Sequence, residues 1–391
     1  MGLGEFFSGV DLVEVDGLLT EDERMVRDTV REFVTAEVLP VIEHHFREGT
    51  FPTQLIPKVA ELGLLGASLH GYECAGLGAV ANGLIMQELE RGDSGLRSFV
   101  SVQGSLCMWP IHAYGTEAQK QTWLPPMARG EKIGCFGLTE PDYGSDPGAM
   151  ITRAVKKGDR WILNGAKAWI TNGSVADVAV VWAQTPEGIR GFLVEKGTPG
   201  YTTRDHTGKF SLRASVTSEL ILQDVEVGAD AILPGAQGLK GPLACLTQAR
   251  YGIGWGGIGM AMAVFDEARR YQLERKAFGK PLASFQLQQR KLAWMAAEIT
   301  KGQLLNLQVG RLKEKDRATF VHVSMAKRNG CFVARESCRL AREMLGANGI
   351  ADEYQTGRHF CNIEAVYTYE GTDDIHTLIL GQHVTGIAAF E

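Results

Sequence analysis

The chain has 391 residues, 45% hydrophobic and 22% charged, with a formal net charge of −6. This composition excludes a disordered or fibrous chain and supplies enough apolar mass for two or three domains. The negative balance gives nucleic acid no electrostatic reason to bind, and no apolar run is long enough to span a membrane.

In chain order, the opening "MGLGEFFSGVDLVEVDG" is acidic and lacks the basic start and apolar core of a secretory signal, so a cytoplasmic location is expected. Phe6 breaks the N-myristoylation pattern. Thr20 followed three residues later by Glu23 forms a capping-box pattern, and Met25, Val26, Val30, Phe33 and Val34 recur at helical spacing. "PTQLIPKVAELGLLG" and "EAQKQTWLPPMARG" read as further helices, giving an N-terminal helical domain over residues 1–132. The period then changes. "RWILNGAKAWITNG" reads as two short strands around an Asn164-Gly165 turn, and "ADVAVVWAQ", "RGFLVEKG" and "SELILQDVEV" are strand-like. No helical pattern separates them, so residues 133–240 predict an antiparallel sheet or small barrel rather than a doubly wound parallel sheet. Four long amphipathic segments then predict a C-terminal helical bundle over residues 241–391. The fold class is α+β.

The motifs exclude more than they establish. "GIGWGGIG" matches GxGxxG at Gly252, Gly254 and Gly257, and again at Gly254, Gly256 and Gly259. Both flanks are helical in pattern, which favours a small-residue helix face over a dinucleotide fingerprint. Seven widely spaced cysteines without CxxC argue against a disulfide framework or zinc ribbon and predict mostly buried thiols. The histidines lack metal-ligand spacing, so no metal is expected. Neither a GxSxG elbow nor a P-loop is present. "CFGLTEPDYGSDPGAM" is either a loop offering N–H groups and hydroxyls to a planar or phosphorylated ligand, or a long turn into the sheet. Glu370 in "YTYEGTDDIHTLILG" is either a base or an acid at a helix start.

"CFGLTEPDYGSD", "AWITNG", "ERKAFGKPL", "EMLGANGI" and "YEGTDDIHTLILG", in that order, resemble the FAD-dependent acyl-CoA dehydrogenases. "ELERGDSGLRSFVSVQGSL", "GKFSLRASVTSEL" and "LTQARYGIGWG" resemble the glutaryl-CoA dehydrogenase branch, so the resemblance spans nearly the whole chain. It implies an α-helical domain, a β-barrel-like middle domain and a four-helix bundle in a homotetramer. It also implies an acyl-CoA substrate, FAD, and an electron-transferring flavoprotein as acceptor.

Residue by residue, the resemblance makes Glu370 the base that removes the substrate's α-proton while a hydride leaves the β-carbon. It places Arg97, with Ser98 and Glu90, at the distal carboxylate of a glutaryl chain, and Tyr369 along that end of the pocket. Ser145, Leu243, Arg250 and Gly371 line the thioester and pantetheine side. For FAD it implies Phe136, Leu138, Thr139, Gly144 and Ser145, then Trp169, Ile170 and Thr171. Arg275, Phe278, Gln286, Glu343, Leu345, Gly346 and Ala347 would reach FAD from a neighbouring subunit, and Thr372 and Asp374 would follow the base. Three positions depart from the branch: Asp373 replaces a histidine, Ala347 a glycine and Glu73 a glycine. Asp373 is expected to add negative charge beside the base. The implied reaction is oxidation of glutaryl-CoA with decarboxylation to crotonyl-CoA. Two alternatives remain within the family: another short-chain or dicarboxylic acyl-CoA, or a reaction that stops before decarboxylation. A flavin monooxygenase or acyl-CoA oxidase on the same fold is a rival of another class, as is a non-catalytic flavin-binding protein. Glu370 argues against these, because neither a monooxygenase nor a scaffold needs an α-proton base.

Overall fold

The computed structural model describes residues 11–390, so the myristoylation reading at residues 1–6 lies outside the described residues. The N-terminal capping box forms. Thr20 Oγ1 accepts from the Glu23 N–H at 3.3 Å, and Glu23 Oε2 accepts from the Thr20 N–H at 2.8 Å. Helix α1 (Glu21–Phe33) passes through a π-helical stretch, Val34–Val38, into α2 (Leu39–Glu48). Helices α3 (Ile56–Glu61), α4 (Ala79–Gly92) and α5 (Ser94–Ser101) follow. A second π stretch, Val102–Met108, joins α5 to α6 (Trp109–Tyr114), and α7 (Glu117–Ala128) ends the segment.

Helix α4 is buried on nearly every side, so its charged residues must find partners inside the fold. Asp93 breaks the chain between α4 and α5. Its carboxylate accepts from the Gly95 N–H at 2.7 Å and from Asn362 Nδ2 at 2.9 Å, and lies 3.1 Å from Arg358 Nε. This cap sets the start of α5 and carries Arg97, on its first turn, into the interior.

The middle segment is one seven-stranded sheet: β1 (Gly134–Gly137), β2 (Arg153–Lys157), β3 (Arg160–Thr171), β4 (Val178–Thr185), β5 (Gly188–Glu195), β6 (Tyr201–Asp205) and β7 (Thr217–Gly228). The strand order is β1-β4-β2-β3-β7-β6, with β5 on the other side of β4. Two sequence expectations are corrected. The sheet is mixed, because β1 pairs with β4 in parallel, from Gly134↔Val178 to Gly137↔Val181. The β2–β3 hairpin lies between them in the chain, so no tight turn forces opposite directions. Asn164-Gly165 is not a hairpin turn either, since β3 runs straight through it with a bulge between Leu163 and Gly165. Asn164 is held from the side by Asp224: Asn164 Oδ1 accepts from the Asp224 N–H at 2.9 Å, and Asn164 Nδ2 donates to Oδ1 at 3.0 Å. A Cβ at Gly165 would lie 2.3 Å from Thr152 Oγ1, so the glycine serves close approach rather than a turn.

The C-terminal segment contains α8 (Lys240–Glu274), a small hairpin of β8 (Lys276–Ala277) and β9 (Lys280–Pro281), then α9 (Gln286–Lys313), α10 (Phe320–Met344), α11 (Gln355–Thr368) and α12 (Asp373–Thr385). Its core includes Ile253, Ile258, Met260, Val264, Met295, Val333, Ile363 and Val366. The literal GxGxxG matches lie inside α8, where they allow helices to touch backbone to backbone. A Cβ at Gly257 would sit 2.5 Å from the Gly330 backbone of α10, and one at Gly259 would sit 1.9 Å from the Gln87 carbonyl oxygen of α4. All seven cysteines are unpaired, and five of them are buried. Among the described residues no helix is long and apolar enough to cross a membrane.

Candidate active site

Where α11 ends, the chain makes a short connection, residues 369–372, before Thr372 caps α12 by accepting from the Ile375 N–H at 3.2 Å. Glu370 takes φ 53° and Gly371 φ 94°, two successive left-handed residues. Such a conformation survives when its surroundings over-determine it. Here they do. Arg250 on α8 donates from Nε to the Glu370 carbonyl at 2.6 Å. Lys327 on α10 donates to the Tyr369 carbonyl at 2.6 Å and also to the Gly371 carbonyl. Three consecutive carbonyls are therefore held by two cations, the buried Lys327 and the half-buried Arg250.

The Glu370 carboxyl has a buried Oε2 with no hydrogen-bond partner among the described residues. Burial pushes its pKa above the usual carboxylate value, while Arg97, Lys327 and Arg250 pull against that rise. The Glu370 backbone N–H also donates to nothing among the described residues. One residue thus offers an unbound acid oxygen and an unbound amide donor together. Beside it, burial drives His376 down to about 3, with Lys327 and Arg250 adding to the fall, so its ring is neutral near pH 7.

At the other side of Tyr369 lies Arg97, 1% exposed. Its Nε pairs with Glu90 and one terminal nitrogen donates to the Tyr369 hydroxyl, with the guanidinium 5.6 Å from that ring's centre. Burial opposes the charge on Arg97, but Glu90 and then Tyr369 hold its pKa above the ordinary arginine value. Burial likewise raises the pKa of the Tyr369 hydroxyl, while Arg97 and nearby Ser98 pull it down. The structure thus brings Glu90, Arg97, Ser98, Arg250, Tyr369, Glu370 and Gly371 together from α4, α5, α8 and the 369–372 connection. Leu243 lies two turns before Arg250 on α8, partly buried, ~10 Å along the axis.

The expectation that Asp373 loads the base with negative charge is corrected. Its carboxylate faces Arg328 Nε at 3.4 Å, and the groups acting on Glu370 are the three cations. Asp374 is exposed.

A second group lies at the sheet. Trp169 is 63% exposed, takes φ 61° at an irregularity in β3, and stacks on His206 with ring centres 4.5 Å apart. Thr139 accepts from the Ala168 N–H at 2.9 Å, which brings the loop carrying Gly144 and Ser145, both exposed, to the start of that irregularity. Glu140 pins the loop by accepting from the Ile151 and Thr152 N–H groups and from buried Lys167 at 2.9 Å. Thr171 is half-buried, whereas Phe136, Leu138 and Ile170 turn their side chains into the core and could meet a ligand only through backbone. Phe136, for instance, packs edge-on against Trp182.

A third group lies at the far end of α8. From Arg250 to Arg275 the helix rises ~37 Å. Arg275, Phe278 and Gln286 are exposed there, Phe278 at 95%. Gln272 Nε2 donates to the Met344 carbonyl at 2.6 Å, which ties the same end to Glu343, Leu345, Gly346 and Ala347. Leu345 is buried and the other three are exposed, with Glu343 bound to Lys291 and Arg339.

A planar cofactor fits what the sheet presents: a bare indole held in a strained backbone, a neighbouring threonine, and a polar loop of exposed small residues. The residues missed by sequence reasoning are Lys327, His376 and the Glu140–Lys167 pair. Lys327 left one signal. It falls on the buried face with Val323, Ser324, Ala326, Gly330, Cys331 and Ala334, where no other position carries a charge.

Comparison with known proteins matches the acyl-CoA dehydrogenase N-terminal domain to residues 20–131, the middle domain to 135–225 and the C-terminal domain to 236–385. The chain is 37% identical over 374 residues to the mitochondrial short-chain specific acyl-CoA dehydrogenase of Bos taurus, covering 94% of this chain and 90% of that protein. Among solved structures, a glutaryl-CoA dehydrogenase from Mycobacterium smegmatis is 53% identical with a TM-score of 0.96, covering 97% of this chain and 99% of that one. A glutaryl-CoA dehydrogenase of the same organism, in complex with FADH2, is 50% identical with a TM-score of 0.96 and covers 97% and 98%.

Proposed function

The chain belongs to the acyl-CoA dehydrogenase family, and from that premise we propose that it oxidises glutaryl-CoA with FAD and decarboxylates the product to crotonyl-CoA. The observation that carries the substrate is Arg97: a fully buried guanidinium, joined through Tyr369 to the residue bearing the acid. An acyl chain ending in a methyl group needs no cation in that position, whereas one ending in a carboxylate leaves a buried charge unpaired without it. The glutaryl-CoA dehydrogenases at 53% and 50% identity support the same reading. The short-chain relatives at 37% identity favour a second one, a monocarboxylic substrate.

FAD, when bound, accepts the hydride from the β-carbon of the acyl chain. The residues that would hold it are Trp169 and Thr171, with Thr139, Gly144, Ser145 and the backbone of Phe136, Leu138 and Ile170. Thr372 and Asp374 would complete it after the base. Arg275, Phe278, Gln286, Glu343, Leu345, Gly346 and Ala347 gather around the far end of α8, ~37 Å along it from Arg250. They fit the proposal of a homotetramer in which each subunit completes its neighbour's cofactor site. Glu370 takes the α-proton on its carboxylate. Its burial raises its proton affinity, which narrows the gap to the much less acidic carbon it must serve. The free Glu370 N–H donates to the thioester oxygen as negative charge gathers there. Leu243, Arg250 and Gly371 border the thioester side. The distal carboxylate then leaves as CO2, its C–C electron pair passes into the thioester dienolate, and a proton added at the γ-carbon gives crotonyl-CoA. The proposed acceptor is an electron-transferring flavoprotein, on the sequence resemblance.

The test is anaerobic turnover of glutaryl-CoA with an artificial acceptor, resolving glutaconyl-CoA from crotonyl-CoA by chromatography. Crotonyl-CoA is expected. Turnover of butyryl-CoA with none of glutaryl-CoA would overturn the substrate.

A further inference from the structure

We propose that Lys327 is a positioning residue for the reaction: by holding the carbonyls on either side of Glu370, its ammonium fixes the Glu370 amide donor and keeps a positive charge beside the carboxyl. The inference rests on the reading of Glu370 as the base. Lys327 occupies a core position of α10, and its hydrogen bonds go to two backbone carbonyls, not to a carboxylate. A buried ammonium is costly to keep, and a methionine or leucine would fill the same stripe without that cost. Packing therefore gives no reason for a lysine here.

The geometry does. A trans peptide is planar, with its N–H and C=O pointing in opposite directions. Holding the Tyr369 carbonyl fixes the plane that carries the Glu370 N–H, and holding the Gly371 carbonyl fixes the plane that carries the Thr372 N–H. Arg250 does the same for the peptide between Glu370 and Gly371. Each cation also polarises the peptide it holds, which strengthens the opposite N–H as a donor. The two left-handed residues in the loop make this restraint necessary, since a free chain would leave that conformation. The charged groups acting on the Glu370 carboxyl are Arg97 on α5, Arg250 on α8 and Lys327 on α10, with the Tyr369 hydroxyl also interacting, the neutral His376 of α12 against the loop backbone, and Glu90 of α4 one step away, paired with Arg97. Burial pushes the lysine itself down to about 8.

The test uses flavin-loaded protein and an acyl-CoA whose β-position is sulfur, so hydride transfer is impossible. The base removes the α-proton, the C–H electron pair moves into the thioester enolate, and a deuteron returns from D2O. NMR follows the exchange against pH. Lys327→Gln is expected to lower the plateau rate about 10- to 1,000-fold and to move the acid limb up by about one pH unit, because losing a cation raises the Glu370 pKa. Lys327→Arg, which keeps the charge but displaces the donors, is expected to lower the plateau and leave the limb in place. The dissociation constant of the thioester should stay within about threefold in both. A purely structural lysine would lower the unfolding temperature with plateau and limb unmoved, and that result overturns the inference. Glu370→Gln separates the two ideas. Exchange that persists in it sinks the base reading, while exchange lost in it but normal in both Lys327 variants sinks only the role of Lys327.

Discussion

Replacing Arg97 by methionine removes the charge while keeping most of the length. Arg97 is 1% exposed and Glu90 is fully buried, so solvent screens neither. Breaking a buried pair by removing one partner costs about 3–5 kcal/mol, and a substrate carboxylate entering the same place loses the same cation. At ~1.4 kcal/mol per factor of ten, kcat/KM for glutaryl-CoA should fall about 100- to 4,000-fold. Butyryl-CoA brings no carboxylate, so its kcat/KM should change by less than about threefold once folded protein is counted. The free protein suffers as well, because Glu90 is left unpaired. Adding Glu90→Gln should therefore restore most of the lost unfolding temperature without restoring glutaryl-CoA turnover. The assay is kcat/KM for both substrates alongside thermal unfolding, on the single and double variants. Equal losses for the two substrates, or recovery of glutaryl-CoA turnover in the double variant, would refute the reasoning.

Glu370→Gln should keep its flavin and bind acyl-CoA yet fail to bleach the flavin anaerobically, and normal bleaching would remove Glu370 from the chemistry. The same variant tests the electrostatics: the folded protein holds the Glu370 proton more tightly than the unfolded chain, so native stability falls as pH rises from the unfolded value of 4.5 through the raised folded one. The glutamine protein should therefore unfold at a higher temperature than the parent at pH 8, with the gap closing below about pH 4.5. Asp373→Asn should leave the acid limb of turnover within about 0.3 pH units of the parent, since Asp373 faces Arg328, and a shift near one unit would contradict that orientation. Gly257→Ala should destabilise the fold by about 1–3 kcal/mol through overpacking against Gly330, read by chemical denaturation; an unchanged midpoint would mean the α8–α10 contact is looser than described.

Periodicity carried the architecture because burial imposes it locally. The Thr20 capping box, the helical spacing of α1 and the change of period near residue 133 are signals within a few residues of each other. The glycines of α8 were readable for a related reason, since their helical flanks left no room for a strand. Two features of the sheet were not readable. Asn164-Gly165 looks like a turn until Asp224 and Thr152, far along the chain, take up both residues. The direction of β1 against β4 depends on a connection that no local pattern encodes. The site divides in the same way. "YEGT" marked Glu370 only through resemblance, and the composition of that stretch did not rank it above its acidic neighbours. What shapes it comes from across the chain: Arg97 lies 272 residues from Tyr369, Arg250 lies 120 from Glu370, and Lys327 lies 44 from Gly371. The orientation of Asp373 was beyond the sequence because adjacency in the chain says nothing about which way a helix-opening side chain points.

The length of α8 has a consequence of its own. One uninterrupted helix joins Arg250, at the acid, to Arg275, at the opposite end of the bundle, with no loop between them to absorb an error. It behaves as a ruler with a phase. Removing a single residue between those points would shorten the span by ~1.5 Å and turn everything beyond it by ~100°. A deletion ahead of Gly257 would rotate Gly257 and Gly259 off the backbones of α10 and α4, and one anywhere in the stretch would turn Arg275 and Phe278 to a different direction, while Arg250 stayed where it was. Substitutions in this stretch can be tolerated one side chain at a time, but insertions and deletions cannot, because the two ends are locked in register by the helix itself.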